Sequence, residues 1–341
     1  MRQVGHTFVL VVLFLVCTTL ARPSETFSGK TVTVIIGADV GAGFDAYGRA
    51  VAHRIGRYLP GNPAVIPRNQ PGAGSGLAAA YIYNLAPKDG TTIASLFPGV
   101  IVSQLLDERP SGQFDPTRFN YLGSVYGGPR ICLTYGSSKI KTFKDAQTQK
   151  ATFGATAVGG GSRDYANMVK RIAGGKFDLV TGYRGPSDVY LAIERGEIDG
   201  ICGQDWSAFK LLRPAWLKDK TVNILLQIGP EPDAELTAMG VPDLWSFVAD
   251  PRDRAAAELI VTQQTFGGPY VLPPDVPADT VQSLRDAFMK VMADPEFLAE
   301  IAQDRLEARP VRGDVVQALI EKLYSAPQPL VDYTKSIIRG H

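Results

Sequence analysis

The chain has 341 residues, of which 45% are hydrophobic and 20% charged, as in an ordinary soluble globular protein. This length fits two domains better than one. A net charge of +1 excludes a strongly basic nucleic-acid-binding protein and an acidic disordered tail, so we expect no nucleic-acid partner.

The first residues have the pattern of a secretion signal. Arg2 supplies the positive end, residues 9–16 form an apolar core, and Thr19-Leu20-Ala21 offers a small-x-small cleavage site. The core is too short to span a bilayer as a stable helix. We therefore expect residues 1–21 to be a signal peptide and the mature chain to be exported; an uncleaved anchor is the alternative.

Export leaves two cysteines in the mature chain, Cys132 and Cys202. An oxidising compartment permits a disulfide between them. Two buried free thiols are an equally consistent interpretation, since cysteine packs well as a small apolar residue.

The first structural unit is a strand, a glycine loop and a helix. Residues 31–36 are almost all β-branched, which predicts a short buried strand. A glycine loop and a helical pattern follow, and Asp45 is predicted to cap that helix by accepting an amide hydrogen of its first turn. Glycine-rich backbone at a helix N-terminus binds anions. We predict that this loop forms the first half of a carboxylate-binding cleft.

The chain from Pro23 to about Tyr121 continues this alternation. We predict a short strand at 63–67, a glycine turn at 69–76 that opens a helix through 77–85, and a strand at 91–96. The succession implies an α/β sheet with its loops gathered at the carboxyl ends of the strands, where open sheets bind ligands.

One charge feature lies in this first part. No acidic residue occurs between Asp45 and Asp89, whereas the interval holds Arg49, Arg54, Arg57, Arg68 and Lys88. A solvated basic helix face explains several of them. The regional bias nevertheless favours a negatively charged ligand.

A second part repeats the same order of elements after strands at 121–126 and 131–135. We predict strands at 151–157, 179–183, 197–202 and 222–228 and a helix at 165–172 capped by Ser162, with a turn at residues 203–206. Residues 265–273 have the extended character of a returning crossover. We therefore assign 22–124 and 265–341 to one domain and 125–264 to the other, with helices at 280–292 and 315–324 covering the first sheet.

The histidines argue against an enzyme. The three are His6 in the signal, His53 on a helix face and His341 at the end, which leaves no HExxH, no Ser-His-Asp set and no Cys-His pair. We expect no catalytic residue, no metal and no cofactor.

The alternative is an exported dinucleotide-binding enzyme. Residues 41–46 satisfy the pattern G-x-G-x-x-A after a strand, which favours it. The acidic residue expected about 20 positions further along is absent, which argues against it.

Several spaced motifs together resemble one family. They are residues 41–45 with Arg49, residues 69–74, Ala86-Pro87-Lys88-Asp89-Gly90, residues 159–162, Tyr183-Arg184-Gly185 and Gly196-Glu197-Ile198-Asp199-Gly200. This set resembles the Bug-type extracytoplasmic solute receptors of tripartite tricarboxylate transporters, over nearly the whole mature chain.

The resemblance implies an α/β periplasmic-binding-protein fold of the Venus-flytrap kind (type II-like), with two domains joined by crossover strands. Such receptors trap a small organic carboxylate between the domains and deliver it to membrane permease subunits. It implies a monomer in the periplasm that catalyses nothing. A ligand-sensing adaptor for a membrane signalling protein would use the same pocket.

The resemblance also nominates ligand-binding residues. Those on the first domain are Gly41, Ala42, Gly43, Phe44, Asp45, Gly74 and Ser75, with Asp45 acting mainly as a loop brace because its charge would repel an anion. Those on the second are Gly161, Ser162, Arg163, Tyr183, Arg184, Gln204, Asp205 and Trp206. We expect Arg163 or Arg184 to pair with a second carboxylate, or else to be a surface arginine. Trp206 either selects the distal group or packs in the core.

Two departures limit what can be carried over. Many relatives have a proline-rich loop ending in Gly-Gly-Ser-Thr-Asp, where this chain has residues 39–45. Many also carry a histidine after the second glycine turn, where this chain has Ser162-Arg163-Asp164-Tyr165. The ligand itself is therefore left open, with dicarboxylates and aromatic acids as candidates.

Overall fold

A computed structural model of the chain describes residues 27–41, 43–107, 113–156, 161–183 and 185–340. The predicted signal peptide, residues 1–21, lies outside these ranges. None of the helices in the described ranges is long and apolar enough to cross a membrane.

The described residues form eleven strands. In chain order they are β1 (Thr31–Ile36), β2 (Ala64–Asn69), β3 (Thr92–Ser95), β4 (Asn120–Tyr126), β5 (Arg130–Tyr135), β6 (Ala151–Ala155), β7 (Phe177–Thr181), β8 (Gly200–Asp205), β9 (Val222–Ile228), β10 (Gly267–Leu272) and β11 (Val311–Arg312).

Fourteen α-helices accompany these strands in the described part of the chain. The first seven are α1 (Gly43–Ile55), α2 (Gly76–Asn84), α3 (Pro98–Leu106), α4 (Phe143–Thr148), α5 (Gly161–Ala173), α6 (Pro186–Glu194) and α7 (Trp206–Leu212). The others are α8 (Pro214–Lys218), α9 (Ala234–Ala238), α10 (Pro251–Val261), α11 (Ala278–Met292), α12 (Pro295–Gln303), α13 (Gly313–Tyr324) and α14 (Gln328–Arg339).

The strands make two mixed sheets. The first has the order β11-β4-β10-β3-β1-β2, with β1 parallel to both β2 and β3 and with β10 antiparallel to β3 and β4. The second has the order β7-β6-β8-β5-β9, with β6 parallel to β7 and β8. The chain passes to the second sheet between β4 and β5 and returns between β9 and β10. The predicted α/β class with two domains is confirmed, whereas the limits at residues 124 and 265 stay a prediction.

The two crossovers lie side by side. The amide of Gly128, on the outgoing crossover, donates to the carbonyl of Gln264 on the returning one at 3.3 Å. A Cβ on Gly127 would approach the same carbonyl to 2.9 Å, so the glycine permits this close contact. The base of the space between the two sheets is therefore built from both crossovers.

Most predicted elements match, and the main exception is the strand predicted at 197–202. The observed β8 lies three residues later, so the predicted turn at 203–206 is wrong: Gly203, Gln204 and Asp205 end the strand and Trp206 begins α7. Gly203 has φ +77°, and the pairing of β8 with β5 shifts register here. The glycine therefore marks a bulge within a strand rather than a turn.

The C-terminal helices divide between the two sheets. Helices α11 and α13 pack on β4, as predicted for a cover of the first sheet. Helix α14 packs against α5 and α10, and the side chain of Asn167 on α5 donates to the carbonyl of Ile338 at 2.8 Å. Thus α14, although it belongs to the C-terminal segment, packs on helices that accompany the second sheet.

Cys132 on β5 and Cys202 on β8 are both fully buried, and the structure joins their sulfurs in a disulfide. The two strands are neighbours in the second sheet, which brings residues 70 positions apart into contact. Of the two interpretations left open by the sequence, the structure has the disulfide.

Candidate functional site

A cavity of about 710 Å³ lies between the two sheets; we call it the cleft. Its walls come from α1 and α3 on one side and from α5, β8 and α7 on the other. The crossover residues Tyr126, Gly127 and Arg130 and the segment from Arg305 to Arg309 complete it. Its volume is in the usual range for small-molecule sites.

Several helices direct their N-terminal ends at this cleft. The lining residues at these ends are Gly43 and Phe44 of α1, Pro98 and Gly99 of α3, Gly161 and Ser162 of α5, and Pro186 of α6. The geometry follows from topology, because helices that follow parallel strands all begin at the carboxyl edge of the sheet. Free amide groups and the positive ends of helix dipoles from both sides therefore favour an anion here.

Asp45 lies behind the cleft wall rather than in it. Its carboxylate is 3% exposed and accepts hydrogen bonds from the amide of Gly41 at 2.8 Å, Arg49 Nε at 3.0 Å and Asn69 Nδ2 at 2.8 Å. Burial acts to raise the pKa of Asp45, but these hydrogen bonds outweigh it and the pKa is lowered. The predicted N-cap is wrong: α1 begins at Gly43, so Asp45 lies within its first turn, and its carboxylate accepts the amide of Gly41 ahead of the helix rather than an amide of that turn. The geometry is that of a loop brace.

Aromatic rings form one wall of the cleft. The ring of Phe44 meets that of Phe97 edge-on at a centroid distance of 4.3 Å and that of Tyr126 at 5.7 Å. Tyr47 stacks on Tyr126 at 5.6 Å. Three elements thus contribute to one aromatic surface: α1, the residue before α3, and the end of β4.

Arg130 is the cation at the base of the cleft. Burial acts to lower its pKa, but the neighbouring Asp205 and the hydroxyls of Tyr165 and Tyr126 hold the pKa above its usual range. Arg130 and Asp205 are opposite each other on β5 and β8. Nε of Arg130 has no hydrogen-bond partner among the described residues, so this donor is not committed to the fold.

Ser162 and Gln204 line the second wall. Helix α5 begins at Gly161, one residue before the predicted cap, and Ser162 Oγ accepts the amide of Thr156 at 2.9 Å. Gln204 is buried, and its side-chain Nε2 donates to the carbonyl of Asp205 at 3.2 Å. Asp205 itself caps α7 by accepting the amide of Ala208 at 2.8 Å.

Two further carboxyl groups line the cleft, one from each side. Burial raises the pKa of Asp164 on α5 to about 7; the nearby Arg163 opposes this shift and Asp107 adds to it. Burial also raises the pKa of Asp107, which follows α3, and Lys335 opposes that shift. Negative charge is therefore already unfavourable in this part of the cleft.

The structure brings six of the predicted residues to the cleft: Gly43, Phe44, Gly161, Ser162, Gln204 and Asp205. Ala42 and Arg184 lie outside the described residues. The others do not line it, and each has a different environment: Gly41, Asp45, Gly74, Ser75, Arg163, Tyr183 and Trp206.

Ser75 and Trp206 are core residues. Ser75 is fully buried, donates to the carbonyl of Gly37 at 2.9 Å and accepts the amide of Phe97 at 3.0 Å, so it ties two loops together. Trp206 is 1% exposed and donates from Nε1 to Glu235 at 2.8 Å. Of the two interpretations of Trp206, the core one is therefore observed.

Arg163 and Tyr183 also serve the fold. Arg163 donates to the carbonyls of Ile338 and Arg339 at the end of α14, which leaves it facing that helix rather than the cleft. Tyr183 packs against the apolar cluster of the second sheet. Gly74 lies in the turn before α2 with φ +59°.

The basic interval of the first domain does not supply the cleft with charge, and none of its five cations lines it. Arg49 pairs with Asp45 at 3.0 Å and Arg57 with Glu296 at 2.9 Å. Arg54 pairs with Glu300, and Lys88 with Asp275 at 2.7 Å. Four of the five cations are thus paired with nearby carboxylates, two of them on α12, so the regional bias does not translate into a charged site.

The sequence interpretation missed Phe97, Tyr126, Arg130 and Asp164. The available signal was the position of two of them: Tyr126 and Arg130 flank Gly127-Gly128-Pro129, which the sequence already marks as the crossover. An aromatic and a cationic side chain beside an interdomain crossover are placed at the base of any cleft that the crossover closes.

The segment from Arg305 to Arg309 reaches across the rim. Arg309 lies 3.5 Å from Asp233, at the start of α9, and Glu307 lies 3.9 Å from Lys210 on α7. The carbonyl of Glu307 also accepts the hydroxyl of Tyr47 at 2.5 Å. Two ion pairs therefore connect the rims of the cleft. The described residues hold no group of three or more metal-ligating side chains.

No family model matches the chain. A Cupriavidus necator protein described as a UPF0065 protein in the gbd 5′ region is 24% identical over 298 residues, a stretch that covers 83% of this chain and 81% of that protein.

Several solved structures superpose on most of this chain. A TctC solute-binding protein from Polaromonas, solved without ligand, superposes with a TM-score of 0.69 at 16% identity over 91% of this chain and 98% of its own. An R. palustris protein solved with adipate gives 0.63 at 16% identity over 90% and 97%. The periplasmic binding protein BugD gives 0.61 at 16% identity over 91% and 98%. The chain therefore has the fold of the TctC and Bug-type periplasmic solute-binding proteins, which is the fold that the resemblance implies.

Proposed function

We propose that this protein is a periplasmic receptor that captures a small organic carboxylate in the cleft and delivers it to the membrane permease of a tripartite tricarboxylate-type transporter. It binds its ligand as a monomer and releases it chemically unchanged. The fold supports a receptor, and the similar R. palustris protein was solved with a carboxylate, adipate.

One observation carries the proposal: anion-attracting groups from both sides converge on the same cleft. The N-terminal ends of α1 and α3 face those of α5 and α6, with Arg130 at the base. Each helix end is worth about 0.3–1 kcal/mol toward an anion and up to about 2 kcal/mol when partly buried. Because the contributions come from two sheets, an anion that touches both would also draw the two sides together.

The direct test is a thermal-shift measurement on the mature chain, from residue 22. The panel contains benzoate, malate, adipate and citrate, each beside its uncharged amide, with a nicotinamide dinucleotide as a further control. A ligand that binds only the folded state adds about 2.7 kcal/mol at a hundredfold excess over its Kd, which such an assay resolves. We expect one or a few acids to raise the melting temperature and their amides to leave it unchanged.

A graded substitution places the ligand. A Cβ at Gly43 would lie 3.7 Å from Leu306 Cδ2, an ordinary contact, so Gly43→Ala should keep the fold and most of the affinity. Gly43→Val places two more carbon atoms than Gly43→Ala at the helix end that lines the cleft. We expect it to abolish acid binding and to leave the urea midpoint unchanged.

Undiminished affinity in Gly43→Val would refute this placement of the ligand. A response to the dinucleotide alone, with none to any acid, would refute the receptor and support the dinucleotide-binding alternative. Capture of the loaded receptor by membranes that contain the permease, and not by membranes lacking it, tests delivery.

A further inference from the structure

The cleft has features that restrict the class of carboxylate it accepts, and this inference rests on the proposed function. We infer that the ligand is an aromatic monocarboxylate, with its carboxylate at Arg130 and its ring against Phe44, Phe97 and Tyr126. Aliphatic dicarboxylates of similar length should bind more weakly.

The aromatic wall supplies the first argument. Phe44, Phe97 and Tyr126 contact one another and line the cleft, yet each ring remains partly exposed. Tyr47 also lines the cleft, is buried, and stacks on Tyr126, which holds that ring in place. Partly exposed rings that pack edge-on leave faces and edges for a further ring, and such pairs are favourable beyond the area they bury. An aliphatic chain would bury apolar surface at this wall but would not gain the additional attraction between aromatic rings.

The distribution of cations supplies the second argument. Arg130 is the cation at the base of the cleft, and its Nε has no hydrogen-bond partner among the described residues. A guanidinium presents paired donors that match one carboxylate. Two other arginines line the cleft, but both are exposed at the rim, and Arg309 already lies 3.5 Å from Asp233 and 3.4 Å from Glu307. Among the residues that the structure describes, the base of the cleft therefore provides for one carboxylate.

The carboxyl groups of the cleft supply the third argument. Asp107 and Asp164 come from opposite sides and both line the cavity. The cation near Asp164 is Arg163, whose guanidinium donates to carbonyls at the end of α14. The cation near Asp107 is Lys335 on α14. A second carboxylate in this region would add a third acidic group to two whose pKa values are already raised. A neutral ring avoids that repulsion.

Isothermal titration of the mature chain tests the inference with matched acids. Benzoate, 3-phenylpropanoate and 2-naphthoate form a size series; cyclohexanecarboxylate has the charge of benzoate without its aromaticity; adipate carries a second carboxylate. We expect the best aromatic acid to bind about two- to tenfold more tightly than cyclohexanecarboxylate, as for one aromatic contact. Adipate should bind at least tenfold more weakly than that aromatic acid.

Two sets of variants assign the residues. Arg130→Gln should weaken every acid at least tenfold, whereas Arg118→Gln, an exposed arginine near Asp275 outside the cleft, should change nothing. Phe44→Leu and Phe97→Leu should reduce the preference for aromatic acids over cyclohexanecarboxylate, because leucine keeps an apolar surface but removes the ring. Urea midpoints check that each variant is folded.

The outcomes distinguish failure of the inferred ligand class from failure of the proposed receptor function. Adipate that binds as tightly as the best aromatic acid, or Arg130→Gln with full affinity, would overturn this inference and leave the receptor function standing. No binding by any acid would overturn the proposed function, and this inference with it.

Discussion

Gly203 holds two parts of the second sheet's cleft wall at close range, and a single methyl group tests this. It has φ +77° at the bulge in β8, and a Cβ there would lie 2.7 Å from Tyr165 Cβ and 2.8 Å from the carbonyl of Gly161. Real Cβ atoms do not approach backbone this closely, so Gly203→Ala must push α5 away from β8. The start of α5, with Ser162, forms part of the cleft wall.

The chain offers a matched control for the backbone effect. Gly196 has φ +72°, but a Cβ there would meet nothing within 4 Å. Gly196→Ala should therefore cost only the left-handed backbone term, about 1–2 kcal/mol. Gly203→Ala should cost that term plus about 1–3 kcal/mol for the overlap with α5. The difference between the two variants isolates the close approach.

Equilibrium urea unfolding measures both free energies, and titration with the best acid measures the cleft. We expect Gly203→Ala to lower both stability and affinity, and Gly196→Ala to lower stability alone. Equal losses of stability in the two variants would refute the close contact. Unchanged affinity in Gly203→Ala would show that the position of α5 does not control the cleft wall.

Two more predictions concern covalent and ionisable groups. Reducing the Cys132–Cys202 bridge, which spans 70 positions, should cost about 4 kcal/mol by the loop-entropy relation; unchanged stability after reduction would contradict it. Asp164 has its pKa raised to about 7 in the fold, so between pH 4 and 7 the native state binds more protons than the unfolded chain and its stability falls as pH rises. Asp164→Asn should therefore add up to about 4 kcal/mol at pH 8 and nothing at pH 4, as seen by urea unfolding. A wild-type pH slope in Asp164→Asn would disprove the shift.

Local patterns predicted the α/β class and the position of most elements. Residues 31–36 form β1 with the predicted bounds because a β-branched run followed by glycines has few other structures. The boundary of β8 was wrong because Gly203, Gln204 and Asp205 have the composition of a turn. Only the pairing of β8 with β5 shows that they continue the strand through a bulge.

The side chains of the cleft were harder to predict for a physical reason. Gly43 and Gly161 were found because helix N-termini follow directly from the order of strand, loop and helix. Ser75 belongs to a similar loop, yet the packing of Gly37 and Phe97 around it makes it a buried structural residue. Arg130 belongs to no periodic pattern, and its place at the cleft depends on how two crossovers meet. General attraction for an anion can thus be read from local sequence, whereas selection among anions depends on tertiary contacts.

In the proposed receptor, the contacts across the rim are too weak to hold the cleft shut without a ligand. The pairs Arg309–Asp233 and Lys210–Glu307 are long, at 3.5 and 3.9 Å, and one partner of each is about half exposed, so each is comparable to the surface ion pairs that contribute about 0–1 kcal/mol. Together they supply at most about 2 kcal/mol, whereas moving an equilibrium from 1:99 to 99:1 requires about 5.5 kcal/mol. A carboxylate that touches Arg130 and the helix ends of both walls makes its full set of contacts only when the walls are close. In the receptor that we propose, the preference of the ligand for that state supplies the missing free energy, and closure would then report occupancy of the cleft.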